Sequence, residues 1–130
     1  MPTTKIKPIL LQPAWKIPPN IKAIISTRSN EFNLATHVND NPDNVFANRQ
    51  QLRSYLPSEP FWLQQTHSDR VVQANLSVNI PDADASYTTQ KGVVCVVMTA
   101  DCLPILLTNT SGDFVAAIHA GWRGLNDDII

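Results

Sequence analysis

Val93-Val-Cys-Val-Val-Met-Thr-Ala-Asp-Cys-Leu-Pro-Ile-Leu-Leu-Thr108, with Phe114-Val-Ala-Ala-Ile-His-Ala-Gly-Trp-Arg-Gly124 just beyond it, holds much of the apolar mass of the chain. Each apolar run in it ends in residues that titrate or bind metal. Val93 to Met98 is a continuous, largely β-branched run, which predicts a strand buried on both faces. Ile105 to Thr108 and Phe114 to His119 flank Asn109-Thr-Ser-Gly-Asp113, a polar segment with Gly in its fourth place, and together they predict a β-hairpin. If Thr108 faces Asp113, antiparallel pairing puts Cys102 opposite His119. Opposed residues carry Cβ atoms roughly 4.5–5.5 Å apart, close enough for a thiolate and an imidazole to share one ion. Pro104 brings no amide hydrogen to the ladder, so this strand is expected at an edge or to start irregularly.

Working outward, Asp82-Ala-Asp-Ala85 is a compact acidic turn ahead of a strand at Ser86 to Thr89. Before it, Phe61 to Gln65 and Arg70 to Ala74 read as two short strands joined by Thr66-His-Ser-Asp69, which places His67 on a turn. Asn41-Pro-Asp43 gives a cap residue, a first-turn proline and a first-turn acid, so a helix is predicted from there to about Leu56, stopped by Pro57. Val45, Phe46, Leu52 and Leu56 are its expected buried face. Ile21 to Thr27 is the predicted first strand. Residues 1–20 carry five prolines and read as an irregular lead-in. The expectation is a mixed α/β fold, a sheet with flanking helices, in one domain over residues 21–130. After Gly124 the segment Leu-Asn-Asp-Asp-Ile-Ile begins a helical pattern and stops without a cap, so that domain is expected to be incomplete.

With 130 residues and 43% hydrophobic content the chain can bury a core. Its formal net charge is −1 and it has no basic run, which argues against nucleic acid or an anionic membrane as partner. The longest apolar stretch near the start, Ile9 to Leu11, is too short for a signal peptide or a spanning helix, and a cytoplasmic protein is expected. Cys95 and Cys102 sit too far apart along an extended chain to pair, as suits a reducing compartment.

His67, Cys102 and His119 form a possible metal set of three ligands with a fourth position open. Their long spacings are no metal motif, and a solitary His or Cys is more often a hydrogen-bonded or packed residue of the structure. Asp101, Asp84 and Arg123 would be the neighbours of such a site. Asp101 follows the chain away from the ligand side and suits a supporting role. Asp82 and Asp84 could act as acid or base, or cap backbone amides as acidic turns commonly do. Arg123, in Gly121-Trp-Arg-Gly124, offers a planar fork for phosphate or carboxylate, or a surface ion pair. A multicopper centre needs many imidazoles, and the chain has three His and no His-x-His pair. One ion with N and S ligands suits zinc, with copper the alternative.

Gln65-Thr-His-Ser-Asp-Arg-Val71, Asp82-Ala-Asp-Ala85, Thr99-Ala-Asp-Cys-Leu-Pro104 and Ile118-His-Ala-Gly-Trp-Arg-Gly124 resemble the motifs of the laccase-domain family, also described as multicopper polyphenol oxidases. That family includes the bacterial peptidoglycan editing factor and purine nucleoside phosphorylases. Ser26-Thr-Arg28, Phe32-Asn-Leu34 with His37, and Asn48-Arg49 match more weakly. The resemblance implies a mixed α/β fold with zinc on His67, Cys102 and His119. It implies phosphorolysis of adenosine, inosine, guanosine and methylthioadenosine to base and ribose 1-phosphate, with adenosine deamination as a second activity. Arg123 and Arg28 are then the phosphate candidates, and Arg123, Asp84 and Asp101 the candidates for the reaction itself. Two other readings are a non-catalytic, metal-stabilised module serving cell-wall precursor quality, and a copper phenol oxidase. The sequence departs from the family in a shorter loop after Arg28 and in lacking roughly a further domain's length of chain.

Overall fold

The computed structural model describes residues 9–27, 31–36, 40–77, 79–100 and 102–121. The chain forms two compact units, one of residues 1–16 and 22–55, the other of residues 17–21 and 56–130. The expectations placed on Arg28, His37, Asp101, Arg123 and the segment after Gly121 lie outside the described residues.

In the first unit, β1 (Leu10–Leu11) pairs antiparallel with β2 (Ile25–Ser26). The proline-rich lead-in therefore contributes a two-residue strand, and the strand expected over Ile21 to Thr27 shrinks to its last apolar residue and Ser26. Helix α1 spans Pro42–Arg53. It begins where the sequence signals: the Asn41 side chain accepts from the Asp43 amide at 2.9 Å, and Pro42 needs no partner for a missing N–H. The helix ends three residues before Leu56, through a turn in which the Tyr55 amide donates to the Leu52 carbonyl. Val45 and Leu52 are buried as expected, but Phe46 is 64% exposed. Its place is taken by Asn48, whose amide donates to the Glu31 and Asn33 carbonyls. Arg49 Nε donates to the Leu34 carbonyl at 2.8 Å. The buried face of α1 is thus partly polar because it fastens a segment whose backbone has no ladder of its own.

The second unit holds a four-stranded sheet of β3 (Val71–Gln73), β4 (Ala85–Thr88), β5 (Leu103–Thr108) and β6 (Val115–Ala120), in spatial order β3-β4-β6-β5. β3 and β4 are parallel, and the other pairs antiparallel. β6, in the interior, is buried from Ala116 to Ala120, and small residues there (Ala116, Ala117, Ala120) let neighbouring elements approach. β5 is an edge strand, as Pro104 requires.

Two strand expectations fail. Val93 to Met98 makes one isolated bridge, Cys95 with Phe61, and Phe61 to Gln65 divides its backbone between two partners, Phe61 with Cys95 and Gln64 with Asp82. A segment that changes partner within four residues extends neither ladder. The apolar content of both still goes to the core: Phe61, Leu63, Ala74, Ala83 and Val93 form one cluster, with Val72, Cys95 and Val97 against it. The hairpin forms, but with Thr108 opposite Val115 and His119 opposite Pro104. Its loop is longer than expected because Gly112 takes φ 71° and Asn109 closes the turn, accepting the Gly112 and Asp113 amides on its carbonyl and side-chain oxygens. The Thr108 hydroxyl donates to the Phe114 carbonyl at 2.7 Å. Relative to the expected pairing the slip is two residues, so each side chain keeps its face of the sheet.

Candidate metal centre

Three neighbouring backbones build the site. The β4–β6 pairing places Ala85 opposite Ile118, which brings Asp84 alongside His119, and the His119 amide donates to the Asp84 carbonyl at 2.7 Å. The β5–β6 pairing places Leu103 opposite Ala120, so Cys102 comes across from Gly121 and diagonally beside His119. Diagonal neighbours on one face remain within reach of an imidazole. His67 arrives from the turn after Gln65, with φ 61°. That left-handed conformation is uncommon for a residue with a side chain, and it marks a turn held by its surroundings.

What holds it is Asp84. The carboxylate is fully buried and accepts the amides of Thr66, His67 and Ser68 at 2.9–3.0 Å and the Ser68 hydroxyl at 2.9 Å. Its Oδ2, which takes the His67 amide, also lies 2.7 Å from His119 Nδ1. Burial by itself would raise the Asp84 pKa. The hydrogen bonds from the Ser68 amide, His119, the Thr66 amide and the Ser68 hydroxyl outweigh it and hold the carboxyl below its ordinary value of 3.8. A carboxylate at Nδ1 keeps the proton on that nitrogen, so His119 turns the lone pair of Nε2 outward.

The result is that one ligand atom from each of His67, Cys102 and His119 lies within 4.8 Å of the others. The three residues chosen for their chemistry are brought together, although Cys102 and His119 meet diagonally. His119 is buried, Cys102 half-buried and His67 exposed, and the two imidazoles meet edge to face with centroids 5.0 Å apart. Among the described residues this is the group able to hold an ion. The donors fit one: a soft sulfur and two ring nitrogens, one tautomer fixed by a buried carboxylate, with an open side at His67. Asp82 is exposed and bridges Gln64 through its backbone, apart from this network.

Sequence reasoning gave no role to Gln65, Ser68 or Gly121. Gln65 Nε2 donates to the Met98 carbonyl and Gln65 Oε1 accepts the Met98 amide, both at 2.7 Å, so a side chain replaces a strand partner two residues before His67. Their signal was position alone, beside the candidate ligands within the quoted motifs.

The fold and the cluster define an α/β domain with a candidate site for one metal ion. The chain belongs to the multi-copper polyphenol oxidoreductase laccase family, whose model matches residues 22–130. It is 48% identical over 130 residues to a purine nucleoside phosphorylase of Haemophilus influenzae, covering 92% of this chain and 53% of that protein. It is 45% identical over 127 residues to the purine nucleoside phosphorylase YfiH of Escherichia coli, covering 89% and 52%. A crystal structure of a Neisseria meningitidis protein of the DUF152 family superposes with TM-score 0.88 at 42% identity, over 92% of this chain and 53% of that one. YlmD from Geobacillus stearothermophilus gives TM-score 0.69 at 28% identity, over 75% and 41%. The chain spans about half the length of the relatives it matches.

Proposed function

We propose that this chain carries the zinc site of a purine nucleoside phosphorylase, with His67, Cys102 and His119 as ligands and purine nucleosides plus phosphate as substrates. The observation that carries the reading is the convergence of these three ligand atoms within 4.8 Å, with Asp84 behind His119. The names borne by the H. influenzae and E. coli relatives support the reaction class. Thiolate with two imidazoles favours zinc, and the three histidines of the chain are too few for a trinuclear copper cluster.

In phosphorolysis a phosphate oxygen bonds to C1′ of the ribose while the bond from C1′ to the purine nitrogen breaks, and the base leaves with that electron pair and takes up a proton. Adenosine, inosine, guanosine and methylthioadenosine are the proposed substrates, with deamination of adenosine by water, releasing ammonia, as a second reaction. Bound zinc would supply Lewis acidity to a reactant oxygen. The work of this chain is then positional. Asp84 holds the His119 proton on Nδ1 and fixes the His67 turn, which is the role we assign to it in the reaction. Arg28 and Arg123 are the proposed phosphate cations and Asp101 a proposed supporting acid. Cytoplasmic residence is proposed with this reading; no helix of the described residues is long and apolar enough to cross a membrane.

The test is incubation with inosine and phosphate, reading ribose 1-phosphate. Turnover lost in His67→Ala and Cys102→Ala supports the site, and unchanged turnover in both rejects it. The burial of Asp84 among the amides of residues 66–68 and His119 ties the candidate ligands to the fold, and this favours a second reading, a metal-stabilised module without turnover, acting in cell-wall precursor quality. It expects a chelator to lower the melting temperature while no nucleoside reacts. Copper in place of zinc on metal analysis would point to phenol oxidation.

A further inference from the structure

Gly121 follows β6 and is buried, yet nothing in its backbone calls for glycine, because its φ lies outside the left-handed range that L side chains avoid. The reason lies in what a side chain would meet. A Cβ built there falls 3.1 Å from His67 Nδ1, 3.3 Å from Cys102 Sγ and 3.8 Å from His119 Cε1. The three nearest atoms thus belong one each to the three side chains of the candidate metal centre. Strand pairing explains this: residues 119 and 121 share a face, and Gly121 lies across from Cys102, so a side chain at 121 would project into the cluster.

We propose that Gly121 is the specificity-determining position of the metal centre: its missing side chain is the space that lets three donors close on one small ion. The inference rests on the reading of His67, Cys102 and His119 as ligands. With metal–nitrogen and metal–sulfur bonds of roughly 2.0–2.3 Å at tetrahedral angles, donor atoms stand about 3.3–3.8 Å from one another. The ligand atoms here are within 4.8 Å of one another, so they must draw inward by up to about 1.5 Å when they share an ion. A methyl group at 121 stands inside ordinary van der Waals contact of two of the three. It forces those donors to retreat when they need to converge, and it penalises a compact four-coordinate ion more than a large ion with longer bonds. Gly92 is the contrast. It has φ 81° with nothing within 4 Å of its added Cβ, so it is glycine for its backbone alone.

Cobalt(II) serves as probe, because thiolate ligation gives it a charge-transfer band and four-coordination intense visible bands. The measurements are cobalt titrations and urea unfolding of the metal-free protein for the wild type, Gly121→Ala and Gly92→Ala. We expect Gly121→Ala to bind cobalt at least tenfold more weakly, with the four-coordinate bands diminished, while its metal-free urea midpoint stays near that of the wild type. Gly92→Ala shows the reverse, a lower urea midpoint and an unchanged titration. Equal cobalt affinity and spectrum in Gly121→Ala and wild type overturn the proposal and leave the metal site standing. Failure of Gly121→Ala to fold without metal also overturns it, since the glycine would then serve the fold. A wild type that shows no thiolate–cobalt band removes the metal site itself, and the proposal with it.

Discussion

Replacing Asp84 by Asn keeps the size of the side chain and changes what one of its tips can accept. The amide oxygen can still take the Thr66 and Ser68 donors from Oδ1, but the NH2 group then faces the His67 amide and His119 Nδ1. His119 can meet a donor only by offering Nδ1 as acceptor, which moves its proton to Nε2, the nitrogen an ion needs. Asp84→Asn should therefore weaken zinc or cobalt binding by about 10–100-fold or more, read by titration. The His67 amide, left against a donor, should cost about 1–3 kcal/mol of unfolding free energy in urea. Because the folded pKa of Asp84 lies below 3.8, its carboxylate stabilises the native state fully above that value, and the contribution is lost as pH falls through the folded value. Metal-free wild type should lose stability over that acid window more steeply than Asp84→Asn. The candidate ligands could be picked out because thiolate and imidazole declare their chemistry in any context. Asp84 was legible only as a choice between acid or base and cap on backbone amides beside the site, since an acid in a short turn reads alike whether solvated or buried, and only the sheet brings His119 and residues 66–68 to it.

Among the elements, the helix start and the hairpin could be read because their determinants are local: Asn41-Pro-Asp43 for one, Asn109 to Asp113 between two apolar runs for the other. Val93 to Met98 could not, since whether a β-branched run becomes a strand depends on a partner of matching length, and Phe61 to Gln65 turns away to Asp82 after one bridge. The hairpin turn supplies its own test. Gly112 has φ 71°, and a Cβ on it would lie 2.5 Å from Asn20 Oδ1 and 3.0 Å from Pro18 Cβ. The Asn20 amide donates to the Gly112 carbonyl at 2.7 Å, so the crowded neighbour is tied in place. Gly112→Ala should cost about 1–3 kcal/mol in urea melts, from strain at positive φ and loss of that hydrogen bond, while a cobalt titration on the folded fraction stays unchanged. The two-residue slip in register shows why an imperfect reading of the hairpin still brought Cys102 and His119 to one face: parity decides which face a side chain joins, and parity survived.

For the molecule as a whole, His67, Cys102 and His119 all belong to the unit of residues 17–21 and 56–130, and α1 belongs to the other. If the proposed site holds zinc, a hundredfold excess over its dissociation constant should stabilise the unit that carries His67, Cys102 and His119 by about 2.7 kcal/mol. Hydrogen exchange should show β4 and β6 slowed by zinc and α1 left as it was; equal slowing throughout would mean that the two units unfold as one. Sequence composition spoke clearly at this scale about charge and histidine count; the reading of one domain over residues 21–130 rested on the lack of repeats and linkers, whereas the division into units is a property of contacts. One join in the sheet-bearing unit has a consequence for ageing. The run at Met98 is fastened to the approach to His67 by the primary amide of Gln65, and primary amides hydrolyse slowly in stored protein. Conversion of that group to a carboxylate would set an anion against the Met98 carbonyl, so an old preparation would loosen there first, beside the His67 turn, with its sheet still whole.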